Sequence, residues 1–315
     1  MTAWSWTCSN LRGVNGKGRG PKVRRLSVTM GIRASRRRER KDPFEEACQA
    51  IAKAKRITVF TGAGISVDSG IADFRSPGGL WTKFNPAIYC DYEVFLQRPD
   101  KFWEMVLHLY KDIHLKLGGA ESDLEAGNIR QPQPNAGHKA ISNLAKLGKN
   151  VTVVTQNIDG LHKQAGSSNV IELHGTDSSC TCCSCGRTFT RDPALRQLKE
   201  ALADGGQVPV VPKCDDCGGV LKPNIILFGE PLPTGAMMKA LKSVIASSVV
   251  LVVGTSLEVA PANMIPGVVK YRPFGKLIIQ NLDNSGKEQA DHFLQGRSSD
   301  ILPEVVKRVE EIKGL

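Results

Sequence analysis

Apolar residues in this chain fall in short continuous runs. Such runs, rich in Val, Ile and Leu, occur at 56–60, 151–155, 170–173, 225–228, Val249–Val253 and 277–279. Runs of this kind predict parallel strands covered on both faces. Helical spacing is found between them, at 138–147 and 237–247. A first helix is expected from Asp42 to about Ala54, with Asp42 as N-cap, Pro43 at the first helical position and Glu45 in the first turn. Strands alternating with helices predict an α/β fold, a doubly wound, Rossmann-like parallel sheet. Two segments interrupt the alternation. Residues 82–134 read as a helical insertion with a polar end bearing Pro132 and Pro134, and residues 176–222 read as a small cysteine-bearing module with its own helix near 193–203.

The chain has 315 residues, 41% hydrophobic and 23% charged, an ordinary globular balance that excludes a wholly disordered chain. Its longest apolar run is far short of the ~20 residues of a membrane helix, so no span is expected. The net charge of +11 belongs to one end. Residues 1–41 hold twelve of the 42 Lys/Arg and one acid, Glu39, so the rest carries 30 of each sign. A disordered basic tail (1–41) is expected before a neutral fold (42–315), and a specific nucleic-acid reader is not. The tail reads as a solvated arm, an Arg-rich mitochondrial presequence or a nuclear localisation cluster, with a lean to the mitochondrial reading. It is also a candidate contact for anionic partners.

Candidate chemistry gathers at strand ends. The first strand runs into Thr61-Gly62-Ala63-Gly64-Ile65-Ser66, a turn that either cradles a pyrophosphate or simply joins strand to helix. Val67 occupies the third glycine position of a GxGxxG pattern, so the match is incomplete. Gln156-Asn157-Ile158-Asp159, Gly254-Thr255-Ser256 and Asn281-Leu282-Asp283 follow other strands. Four polar strand ends together make a nucleotide crevice the leading reading. Six of the nine cysteines lie between Cys180 and Cys217, which points to metal binding in a reducing compartment. Cys182-x-x-Cys185-Gly186 and Cys214-x-x-Cys217-Gly218 can wrap one tetrahedral zinc, and Cys180-x-x-Cys183 competes for the first position. Four thiolates leave no open position, so the zinc is expected to be structural. Proton transfer then needs another group. His174 ends a strand and is the candidate, while His138 reads as a capping or packing residue.

Taken in order, these blocks resemble the sirtuins, NAD-dependent protein lysine deacylases. The resemblance rests on residues 62–66, 69–76, 155–162 and 172–175, the two CxxC pairs, Pro223-Asn224-Ile225, Phe228-Gly229-Glu230 and 254–256. It implies that NAD lies between the large sheet and the zinc module, bound by Gly62, Ala63, Gly64, Ser66, Asp73, Phe74, Arg75, Trp81, Gln156 and Ile158. Gly254, Thr255, Ser256, Asn281, Leu282, Asp283 and Ser298 would line the adenosine end. Asn157 and Asp159 would orient the nicotinamide riboside, and His174 would act as general base. Phe228, Gly229 and Glu230 would pair with the substrate backbone. The expected partners are acyl-lysine proteins, histones among the candidates, and the expected state is a monomer. Two other readings stay open: a mono-ADP-ribosyltransferase using the same site, and a non-catalytic NAD-sensing or chromatin-binding module.

Three departures from the family pattern are visible: Ala72 in place of a usual proline, Asp177 in place of a frequent aromatic, and an insertion at 118–134. Sirtuins acting on acidic acyl groups resemble one another in a Tyr and an Arg placed three apart after a Trp-Glu pair. Here Val106 and Leu109 follow Trp103-Glu104 at those positions, so a neutral acyl group is expected, with no guanidinium to receive a carboxylate.

Overall fold

The computed structural model describes residues 42–203 and 210–315; the tail expected at 1–41 lies outside the described residues. Nine strands occur among them: β1 (Arg56–Thr61), β2 (Asn150–Thr155), β3 (Val170–Glu172), β4 (Gly175–Cys182), β5 (Thr188–Thr190), β6 (Leu221–Ile225), β7 (Val249–Val253), β8 (Lys276–Asn281) and β9 (His292–Gln295). Six form one parallel sheet in the order β3-β2-β1-β7-β8-β9. The chain grows outward from β1 on one side and from β7 on the other. The β1/β7 junction is therefore the topological switch point, where α/β sheets bind ligands.

Burial explains the continuous apolar runs. Val249, Leu251 and Val253 of β7 face a layer made by the helices Pro43–Lys53, Ala136–Lys146 and Ser298–Lys313. Val250 and Val252 face the opposite layer, made by the helix Thr234–Ala246 and the 3-10 helix Pro266–Tyr271. Burying each such side chain contributes ~1.5–3 kcal/mol. The first helix starts as expected, with the Asp42 carboxylate accepting from the Phe44 N–H at 3.0 Å.

The remaining three strands form a small antiparallel sheet, β5-β4-β6. Its core includes Cys180, Leu198 and Leu221 together with Phe95, Phe102 and Trp103 from the helical insertion. The Trp103 indole N–H donates to the Leu221 carbonyl at 3.2 Å. Insertion and cysteine module thus share a single core. Among the described residues, no helix is long and apolar enough to cross a membrane.

Two expectations are corrected. The run 225–228 does not form a strand of the main sheet. Its first residue closes β6, and the rest continues as an extended strap, with the Ile226 N–H on the His174 carbonyl and the Phe228 N–H on the Cys90 carbonyl. An apolar run reports burial, and here the burying partner is the small lobe. Strand β9 was not anticipated, because its four residues, His-Phe-Leu-Gln, offer no apolar run.

Candidate active site

The glycine turns after β1 and β7 touch backbone to backbone. The Gly64 N–H donates to the Gly254 carbonyl at 2.8 Å. A Cβ on Gly64 would lie 2.8 Å from Gly254 Cα, and one on Gly62 would lie 2.6 Å from Thr255 Cβ. Gly254 itself has φ +58°, a left-handed conformation that favours glycine. This close approach packs the two turns against each other at the switch point, where α/β sheets bind ligands, with the Gly62 and Gly254 N–H groups donating to the Val253 and Gln280 carbonyls.

Next to the turns, the β2 end supplies a connected polar set. Asn157 donates through Nδ2 to the Gly62 carbonyl and to Ser66 Oγ, both at 3.1 Å. The Ser66 hydroxyl donates in turn to Asp159 Oδ2 at 2.7 Å. Asp159 Oδ1 accepts from the Leu161 N–H, and Gln156 donates to Thr255 Oγ1. Ser66 is fully buried, so this small network fixes Asn157 and Asp159 in place. Behind it lie His138 and His162, stacked edge to face at 4.9 Å and buried, which makes His138 a packing residue.

His174 sits where β3 has just ended and β4 is about to begin. Its Nδ1 lies 3.1 Å from the Gln156 carbonyl oxygen. A carbonyl only accepts, so Nδ1 carries the proton and Nε2 keeps its lone pair. Burial lowers the imidazole pKa below its ordinary value, opposed by that carbonyl contact.

A single cavity of about 890 Å³ joins these groups. Its wall includes every proposed NAD, catalytic and peptide residue except two. Ser298 is buried behind the wall, donating to Gln280 Oε1 at 2.8 Å, and Leu282 points to solvent beside it. Phe74 stacks on Trp81 at 4.9 Å, and Trp81 meets Phe228 at 6.2 Å, so an aromatic row crosses the cavity wall. At one end Arg75 pairs with Glu258 at 3.0 Å. The Phe228 N–H and carbonyl are already taken by Cys90 and Tyr92. Gly229 then turns the chain with φ +88°, the Glu230 N–H closing on the Leu227 carbonyl at 3.1 Å.

The other end of the cavity holds residues that motif reading missed. Val106 and Leu109 line it as expected, but Tyr110, Gln131, Asp177 and Arg191 do too. Arg191 and Arg130 correct the expectation that no guanidinium is present there. They come from elements distant in sequence, and the one local signal was the unusual Asp177.

The four cysteines Cys182, Cys185, Cys214 and Cys217 bring their sulfurs within 4.8 Å of one another. Cys182 and Cys217 are 3.5 Å apart, and Cys185 and Cys214 are 4.0 Å apart. A tetrahedron of Zn–S bonds of ~2.3 Å has edges of about 3.8 Å, so the donor set fits structural zinc. Backbone N–H groups of Cys185 and Ser184 lower the Cys182 pKa and favour the thiolate. The competing Cys180 is packed in the lobe core, and burial pushes its thiol up to about 11. Cys183 is exposed and outside the cluster.

Known proteins share this arrangement. Residues 62–261 match the model of the Sir2 family. The NAD-dependent protein deacetylase 1 of Pyrobaculum aerophilum is 36% identical over 269 residues, covering 85% of this chain and 95% of that protein. A Sir2 homolog solved as its NAD complex superimposes with a TM-score of 0.69 at 32% identity, covering 85% of this chain and 94% of the other. Sir2Af2, solved with a myristoylated histone peptide, gives 0.67 at 29% identity, over 87% of this chain and 98% of that one. The match runs through the glycine turns, the His174 loop and the cysteine pairs alike, and the chain belongs to the Sir2, or sirtuin, family.

Proposed function

We infer that this sirtuin is an NAD-dependent protein lysine deacylase acting on neutral acyl groups. The observation that carries the reading is His174, whose Nε2 lone pair is free on the wall of a cavity that also holds the glycine turns and the peptide strap. NAD binding fits the chain's own geometry: two glycine turns packed backbone to backbone at the switch point, beside a polar network that holds Asn157 and Asp159.

When bound, NAD would supply the ribose carbon that gives up nicotinamide and the ribose hydroxyl that receives the acyl group, with one water consumed overall. The turns after β1 and β7 would hold the diphosphate, with Arg75 and Gln156 on the same cavity wall. Asn157 and Asp159 orient the nicotinamide riboside, and Ser66 holds them there. His174 accepts the hydroxyl proton at Nε2, because Nδ1 is committed to the Gln156 carbonyl. Acyl-lysine enters beside the strap, with its backbone along Gly229. The aromatic row of Phe74, Trp81 and Phe228 offers an apolar wall to the acyl-lysine stem. Zinc has no part in the chemistry, since four thiolates close its coordination shell.

The neutral preference follows from Val106 and Leu109, which are apolar, and from Arg191, which is already paired with Asp177. Acylated proteins, histones among them, are the substrates of this reading. The basic tail acts apart from the site, in location or in contacts with anionic partners.

An acetyl-lysine peptide incubated with and without NAD tests the reading. Deacetylated peptide should form only with NAD present. Its formation without NAD, or its absence with NAD and folded enzyme, would refute it.

A further inference from the structure

We propose that Asp177 sets this site against acidic acyl groups by occupying Arg191, a guanidinium on the same cavity wall as His174; the proposal rests on the deacylase reading above. Three arginines line the cavity. Arg75 pairs with Glu258 at the glycine-turn end. Arg130 is exposed and donates to the Leu117 carbonyl at 2.9 Å. Arg191 is the partly buried one, and its charge is answered from within the protein.

Arg191 precedes the helix Asp192–Ala203 and donates through Nη1 to Asp177 Oδ2 at 2.7 Å. Its Nη2 donates to Gln131 Oε1 at 3.2 Å. The guanidinium carbon lies 5.9 Å from the centre of the Tyr110 ring, and the Tyr110 hydroxyl donates to the same Asp177 oxygen at 3.3 Å. Tyr110 is one helical turn beyond Val106, so the cluster adjoins the apolar acyl wall. The Asp177 N–H donates to the Ile158 carbonyl, which ties its main chain to the loop bearing Asn157 and Asp159.

Asp177 and Arg191 also line a second cavity of about 240 Å³ that shares Ile158, Asp159 and Gln164 with the first. The pair therefore stands on the partition between the two spaces. An acyl chain ending in a carboxylate would meet Asp177 beside Arg191, two charges that cancel, with Asp159 close by. It would lose its hydration and find the partly buried guanidinium already neutralised. Without the Asp177 charge, Arg191 is a free guanidinium aimed at the cavity, the group best suited to a carboxylate.

The test measures kcat/KM on one peptide carrying acetyl, malonyl, succinyl or glutaryl lysine, which covers several chain lengths. In Asp177→Asn the ratio of the best dicarboxylic acyl group to acetyl should rise at least about tenfold over wild type. The gain should vanish in the Asp177→Asn/Arg191→Gln double variant and persist in Asp177→Asn/Arg130→Gln. Asp177→Ser removes the same charge with a different shape and should also raise the ratio. Arg191→Gln alone should not raise it. An unmoved ratio in either folded Asp177 variant, a gain that survives loss of Arg191, or a rise in Arg191→Gln would overturn the proposal. Wild-type acetyl activity is read in the same assay. Its absence would defeat the deacylase reading, whereas its presence with an unmoved ratio would defeat only this one.

Discussion

At His174 a backbone carbonyl decides the chemistry. By accepting the Nδ1–H hydrogen bond, the Gln156 oxygen leaves Nε2 as the basic ring atom, at a residue the fold places on the cavity wall. His174→Ala should lower kcat/KM for deacylation by ~10²–10⁴-fold while NAD still binds, as calorimetry can show. Activity within a few-fold of wild type would remove His174 from the base role. The pH dependence has a definite sign. Burial lowers the His174 pKa from 6.5, so the basic form persists below that pH. The acid limb of kcat/KM should thus fall below about pH 6.5. His138 and His162 act on stability instead. Burial pushes them down to about 4 and about 3. The unfolded chain protonates first, so their stabilisation is complete above about pH 6.5 and is lost as pH falls toward 4 and 3. Urea midpoints should drop between pH 7 and pH 5, and an unchanged midpoint would contradict the buried neutral pair. His174 was legible as a polar residue ending an apolar run. The Tyr110, Asp177 and Arg191 cluster was not, because three elements distant in sequence meet there.

Among the elements, the strands buried on both faces were the most legible. Four of the six apolar runs lie within main-sheet strands nearly residue for residue, since Val/Ile/Leu continuity is the direct imprint of two covering layers. The run at 170–173 overshot β3 by one residue, because Leu173 is buried beyond the last ladder pair. The run at 225–228 departs from the main sheet because its backbone partners past β6, His174, Cys90 and Tyr92, lie outside that sheet. The cysteine knuckles carry their own signal, a CxxC followed by glycine, and Gly186 and Gly218 both take φ near +70° (69° and 71°). Cys182→Ser should therefore lose zinc and unfold the small lobe, because metal binding and folding are coupled. Cys180→Ala should keep one zinc per chain, with only a modest packing loss. Metal analysis and thermal melts of the two variants check this. Equal zinc in Cys182→Ser and wild type would mean the wrong pair was assigned.

For the molecule as a whole, charge and catalysis are separable. The chain after residue 41 is balanced in sign, and every described residue of the site lies after that point. A chain beginning at residue 42 should keep wild-type kcat/KM on short peptides and lose salt-sensitive binding to anionic partners. Loss of peptide activity in that chain would show that the tail serves the site. In this deacylase nicotinamide should leave only as an acyl group is transferred, and counting products is the decisive measurement. With NAD and an acetyl-lysine peptide, each nicotinamide released should be matched by one deacetylated peptide and one O-acetyl-ADP-ribose, with no label from NAD left on protein. Nicotinamide released without acyl peptide, together with ADP-ribose label on an unacylated protein, would contradict the account and favour ADP-ribosyl transfer.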